Sequence, residues 1–170
     1  YPHMKVESDT KWRERSFGKH EGKCVEDLGY GLDYKSGLVR HFYECACPNG
    51  EPMLQFIDRI AKTIKRTYDT YNNQRIVIHT HGGFIMAAIN YLLKEEPTFK
   101  NSRPHKNGHV SFFHLVKTDG KIGVQYSLIN VPCSKLVGYR NNNDQPPYFE
   151  FKTLVDVTLG NIENLTTEGQ

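Results

Sequence analysis

The chain has little cysteine, no long apolar run and no block of one charge, and each absence closes a class of function. Four cysteines (Cys24, Cys45, Cys47, Cys133) in 170 residues are too few for a disulfide framework, so reduced thiols of the cytoplasmic kind are expected. Cys45-Ala46-Cys47 could offer two metal ligands, but no second Cys or His pair stands at zinc-finger spacing around it, and the pair reads as structural. No stretch approaches the roughly 20 apolar residues of a membrane span. The start, Tyr1-Pro2-His3-Met4-Lys5-Val6, lacks the charged-then-apolar order of a secretory signal. Without such a signal the glycosylation pattern at Asn164-Leu165-Thr166 reads as coincidence. The 22 basic and 19 acidic residues include no dense basic cluster, which leaves a mild preference for anions and no electrostatic case for nucleic acid.

What remains is an ordinary globular composition. At 38% hydrophobic and 24% charged residues the chain can build one packed soluble core. Met53, Phe56, Ile57, Ile60, Ile64 and Tyr68 recur at spacings of three and four, which predicts an amphipathic helix from Pro52 to Tyr71. Pro52 suits its first turn, and Asn72-Asn73 stops it. Arg75-Ile76-Val77-Ile78-His79 is a β-branched run of the kind that forms a strand covered on both faces, as in parallel α/β sheets. Gly82-Gly83 breaks it, and helix formers resume from Phe84 to Lys94.

His81 would then stand where a strand ends and a helix begins. Open α/β sheets bind ligands there, and free amides with the helix dipole favour phosphate. Further on, Val110–Val116 and Ile122–Ile129 flank Thr118-Asp119-Gly120-Lys121, a strong signal for a hairpin of antiparallel strands. His109 and His114 fall on opposite faces of the first of these strands by parity. Residues 139–148 are a loop by composition, Phe149–Leu159 reads as a last strand, and 161–170 as a frayed end.

A second polar cluster, Trp12-Arg13-Glu14-Arg15-Ser16-Phe17-Gly18-Lys19-His20-Glu21-Gly22, places a carboxylate between two arginines. Such a group is either held ionised by its neighbours or, when buried, kept near neutrality as a proton donor.

Four motifs in order, Glu14-Arg15-Ser16-Phe17-Gly18, Glu21-Gly22, Asn49-Gly50-Glu51 opening a helix that carries Arg59, and a strand leading to His81-Gly82-Gly83 and a helix, resemble the histidine phosphatase, or phosphoglycerate mutase-like, superfamily. The likeness runs from about Lys5 to Val137. It implies a three-layer α/β/α domain with a mostly parallel sheet, incomplete at its amino end, over residues 1–138, followed by a C-terminal extension over 139–170. It also implies hydrolysis of a phosphomonoester through a phosphohistidine, without metal or cofactor. Glu14 would be the acid/base and His81 the second histidine. Gly82 would present its amide to the phosphate, with Gly83 beside it in the phosphate site, and Arg15 and Phe17 would line the pocket. The logic agrees with phosphoryl transfer, which needs positive groups around the equatorial oxygens and a donor for the departing one.

The chain departs from the family pattern in one respect: no Arg-His-Gly occurs anywhere in it. The nucleophilic histidine of the family sits in that motif, upstream of Glu14. Arg40-His41 is followed by Phe42, comes after Glu14 and has no β-branched strand before it, so it does not substitute. Two expectations follow: a fragment of a histidine phosphatase that associates with itself or with the missing segment, or a relative that binds phosphate without catalysis. The segment Lys23 to Asn49 is short and lacks an Arg-Arg pair, which favours phosphatase over mutase-type phosphotransfer. His79 and His81 also have the i, i+2 spacing of a strand-borne metal pair, but His105, His109 and His114 stand at no recognisable spacing to them. His79 is therefore expected to be a buried strand residue, and the partner a small phosphorylated substrate or phosphate, with no nucleic acid and no membrane.

Overall fold

A computed structural model of the chain describes residues 6–30, 33–71 and 74–133. The chain divides into two compact units, Tyr1–His105 and Lys106–Gln170. The expected extension over 139–170, with its strand and frayed end, lies outside the described residues, as does Asn72-Asn73.

Among its described residues the first unit is built on three α-helices. α1 (Tyr34–Glu44) starts at Asp33, whose carboxylate accepts a bond from the Ser36 N–H at 2.7 Å, a side-chain cap that satisfies an otherwise orphaned amide. α2 (Met53–Thr70) begins after Pro52, its N-cap, and buries Phe56, Ile60, Thr63 and Ile64, the face that the spacing predicts. α3 (Gly82–Leu92) has His81 as its N-cap and buries Phe84, Met86, Ala87, Ile89 and Asn90. The two glycines thus form its first turn rather than a break. Phe42, Phe56 and Phe84 meet edge to face, with ring centroids 5.9 and 5.8 Å apart, so one aromatic row ties the helices together. Phe56, Ile60, Phe84 and Ile89 are fully buried, each worth about 1.5–3 kcal/mol in burial.

Asn90 is the polar member of this core. It accepts a bond from the Tyr43 hydroxyl at 2.9 Å and donates to the Asn101 carbonyl at 3.0 Å, so its burial leaves no donor bare. Burial pushes the Tyr43 phenol up to about 12.

Residues 75–79 depart from expectation. Among the described residues they pair with no strand, and Ile76, Val77 and Ile78 are exposed, Val77 at 83%. A run that is apolar on both faces becomes a strand only beside others that take its backbone bonds, and no such neighbour lies against it among the described residues. His79 is exposed instead of buried in a strand.

The second unit holds a hairpin, β1 (His109–Thr118) and β2 (Lys121–Pro132), antiparallel and two-stranded. Asp119 and Gly120 both take positive φ, 50° and 76°, which is the turn predicted from Asp-Gly. The class is α/β, as expected. The sheet among the described residues is antiparallel, however, and the mostly parallel three-layer arrangement is not seen there.

Candidate functional site

The segment from Thr10 to His20 carries Glu14 across the amino end of α3. A short 3-10 turn (Thr10–Trp12) is capped by Asp9, and Trp12 packs on Phe84 with centroids 5.1 Å apart. The chain then runs along α2, where Arg59 gathers it: its guanidinium donates to the carbonyls of Lys11 at 2.7 Å, Arg13 at 3.0 Å and Glu14 at 3.3 Å. The same group makes two bonds to the Glu51 carboxylate, at 2.8 and 2.7 Å, a fork geometry that arginine provides and lysine cannot. Burial pushes the Glu51 carboxyl up, but the bonds and charge of Arg59, with Arg13 and the Ser16 backbone, outweigh it and hold the group below its ordinary 4.5.

This clamp sets Glu14 in place. Its Oε2 accepts the Gly83 N–H at 2.9 Å, and its Oε1 accepts the Arg15 N–H at 2.9 Å. A bond spanning 69 positions thus joins two motifs that are remote in the sequence. The carboxylate lies at the positive end of α3, in the first turn that follows His81, where negative charge is favoured. Gly83 is required by space: an added Cβ would come within 2.5 Å of the Phe42 ring and 2.6 Å of Glu14 Oε1. Gly82 has open space around it. His81 and Gly82 are exposed to solvent, so the amino end of α3 is accessible to a ligand.

Arg15 points the other way. It is 2% exposed, and its guanidinium donates to the carbonyls of Glu51 and Cys45 at 2.8 and 2.9 Å and to that of Phe42. Those carbonyls lie at the end of α1 and in the loop after it, so Arg15 fastens the motif to the helix. Phe17 stacks on the His41 ring at 5.0 Å and is half-buried. Glu14, His81, Gly82 and Gly83 therefore gather at one helix end, while Arg15 and Phe17 face α1.

The turn after Phe17 is held backbone to backbone. Gly18 has φ of 55°, and a Cβ there would meet the Pro48 oxygen at 2.2 Å; Lys19 N–H donates to that same oxygen at 2.9 Å. Only glycine fits.

One cluster escaped the sequence reasoning. His20, His41, Cys45 and Cys47 lie together, with one ligand atom from each within 4.8 Å of the others, and Cys45 and Cys47 form a disulfide, contrary to the expectation of reduced thiols. His41 and Cys45 are four residues apart at the end of α1, a spacing that marks a shared helix face, but nothing in the sequence shows that His20 joins them. Burial first, then the neighbouring His20 and Arg15, hold the His41 imidazole below its ordinary value. His79 and His81, by contrast, belong to no such cluster among the described residues.

Comparison with known proteins agrees with the motifs. No curated protein matches the chain. The family model for the histidine phosphatase superfamily (branch 1) matches residues 2–125. That span covers the Glu14 motif, the Glu51 and Arg59 clamp and the His81 turn, and the chain belongs to the histidine phosphatase superfamily.

Proposed function

We propose that the chain supplies the acid/base and second-histidine part of a phosphatase that hydrolyses phosphomonoesters through a phosphohistidine. The carrying observation is the Gly83 N–H to Glu14 Oε2 bond of 2.9 Å, which puts a carboxylate at the amino terminus of the helix that His81 begins. In this reading the phosphoryl group sits against His81 and the Gly82 amide, and Glu14 protonates the leaving oxygen. Arg15 and Phe17 shape the pocket wall from behind. The complete fold is a three-layer, mostly parallel α/β/α domain in which residues 75–79 become a covered strand. Its setting is cytoplasmic and its ligand a small phosphorylated compound.

The absence of Arg-His-Gly from the sequence favours a second reading, a non-catalytic phosphate-binding module of the same family. Turnover of p-nitrophenyl phosphate separates the two. Supplied with a segment that carries Arg-His-Gly, the phosphatase predicts a rate above blank that falls about 100-fold or more in Glu14→Gln and disappears in His81→Ala. No turnover, together with vanadate binding that His81→Ala removes, supports the module.

A further inference from the structure

We propose that His20, His41, Cys45 and Cys47 form a four-coordinate zinc site when the two cysteines are reduced. The donor set is two imidazoles and two thiolates, the set that zinc takes in closed structural sites. Bond lengths of about 2.3 Å to sulfur and 2.0–2.1 Å to nitrogen put tetrahedral ligand atoms roughly 3.3 to 3.8 Å apart. Three separations lie within about 0.2 Å of that range: His20 Nδ1 to His41 Nε2 is 3.2 Å, His20 Nδ1 to Cys45 Sγ is 3.2 Å, and His41 Nε2 to Cys47 Sγ is 4.0 Å. All four ligand atoms lie within 4.8 Å of one another, and the two sulfurs, bonded to each other, must part.

Each ligand is set by its own backbone. His41 and Cys45 stand one helical turn apart, where the Cys45 N–H donates to the His41 carbonyl at 3.1 Å and closes α1. Cys47 follows two residues on. His20 comes from the 3-10 turn Gly18–His20, which the Lys19 bond to Pro48 fixes beside Cys47. Phe17 stacks on the His41 ring and Tyr30 meets it edge-on at 4.9 Å, so the ring is oriented from both sides. His41, Cys45 and Cys47 are buried while His20 is half-exposed, which leaves an entry on the His20 side. Two thiolates neutralise one Zn2+, so the loaded site buries no net charge.

The chemistry balances in two steps. A thiol reductant opens the disulfide by exchange, giving two Cys thiols and one reductant disulfide. Zn2+ then displaces two protons as it binds both thiolates. Sulfurs bonded to each other cannot bind as thiolates, so the disulfide and the zinc site exclude one another. The site would fasten the Ser16–His20 turn, which follows Glu14, to the end of α1.

The full chain, reduced with a phosphine and handled without oxygen, is titrated with Co2+ and then Zn2+. The expected result is tetrahedral cobalt d–d bands with thiolate-to-cobalt charge transfer, saturating at one metal per chain and bleached by Zn2+. Proton release of two per metal is expected at a pH where both thiols are protonated. Oxidised chain binds none. The Cys45→Ser/Cys47→Ser variant loses the charge-transfer band and His20→Asn weakens binding at least tenfold, whereas Cys24→Ser/Cys133→Ser, which changes the two exposed free cysteines, leaves both unchanged. The wild-type titration needs no variant to fold. Absence of the charge-transfer band in reduced chain, or a band that survives Cys45→Ser/Cys47→Ser, overturns the proposal.

Discussion

Replacing Arg59 with leucine removes the tie that holds the Glu14 segment to α2. The loss is the two-bond pair to Glu51 and three bonds to the carbonyls of Lys11, Arg13 and Glu14. The paired side chains are only 10% and 11% exposed, so Glu51 is left in a desolvated place with Arg13, 4.0 Å away, as its one charged side-chain partner among the described residues. Breaking a buried pair from one side costs about 3–5 kcal/mol, and the remaining exposure argues for the low end, about 3 kcal/mol. Trp12, the single tryptophan, sits between two of the released carbonyls and reports the change by its emission. Urea unfolding followed by that emission and by far-UV circular dichroism measures the loss. Adding Glu51→Leu to Arg59→Leu recovers about 1–2 kcal/mol, because no unpaired carboxylate remains. A loss under about 1 kcal/mol for Arg59→Leu would refute the clamp.

Other consequences follow from the same geometry. Glu51 has a folded value below 4.5, so its contribution is present above pH 4.5 and is lost as pH falls through the folded value; acid unfolding of Glu51→Gln should be flatter there than that of wild type. Gly83→Ala, forced against Phe42 and Glu14, should cost about 1–3 kcal/mol, whereas Gly82→Ala, in open space, should leave urea midpoints unchanged. Asn90→Ala strands the Tyr43 hydroxyl and should cost about 1–3 kcal/mol in thermal or urea melts. The exposed Ile76-Val77-Ile78 run should make the isolated chain self-associate in sedimentation, and Val77→Lys should shift it toward monomer; a wild-type monomer at all loadings counts against this.

Periodic elements were legible in the sequence because their signals are local. The spacing of Phe56, Ile60 and Ile64 gives α2 without any partner, and Asp119-Gly120 fixes the hairpin by its own backbone preferences. The strand expected at 75–79 failed for the opposite reason: a strand exists only against a neighbour, and the residues themselves cannot show whether one is there. α1 was missed because Gly37 interrupts a weak pattern, though Asp33 with Ser36 three residues on was a readable cap. At the site, the motif order brought Glu14 to His81, and the structure added Arg59 as the residue that holds it. The His20, His41, Cys45 and Cys47 cluster could not be read, since a separation of 21 positions between the two histidines carries no spacing rule.

Phosphate binding by His81 and Gly82 is tested most directly by a vanadate titration followed by the amide resonances of Gly82 and Gly83 and the ring resonances of His81. A phosphate site at the amino end of α3 gives saturable shifts centred on these residues, extending to Glu14 and abolished by His81→Ala. Shifts that are absent, or that persist at other residues in His81→Ala, would contradict a phosphate site at the amino end of α3.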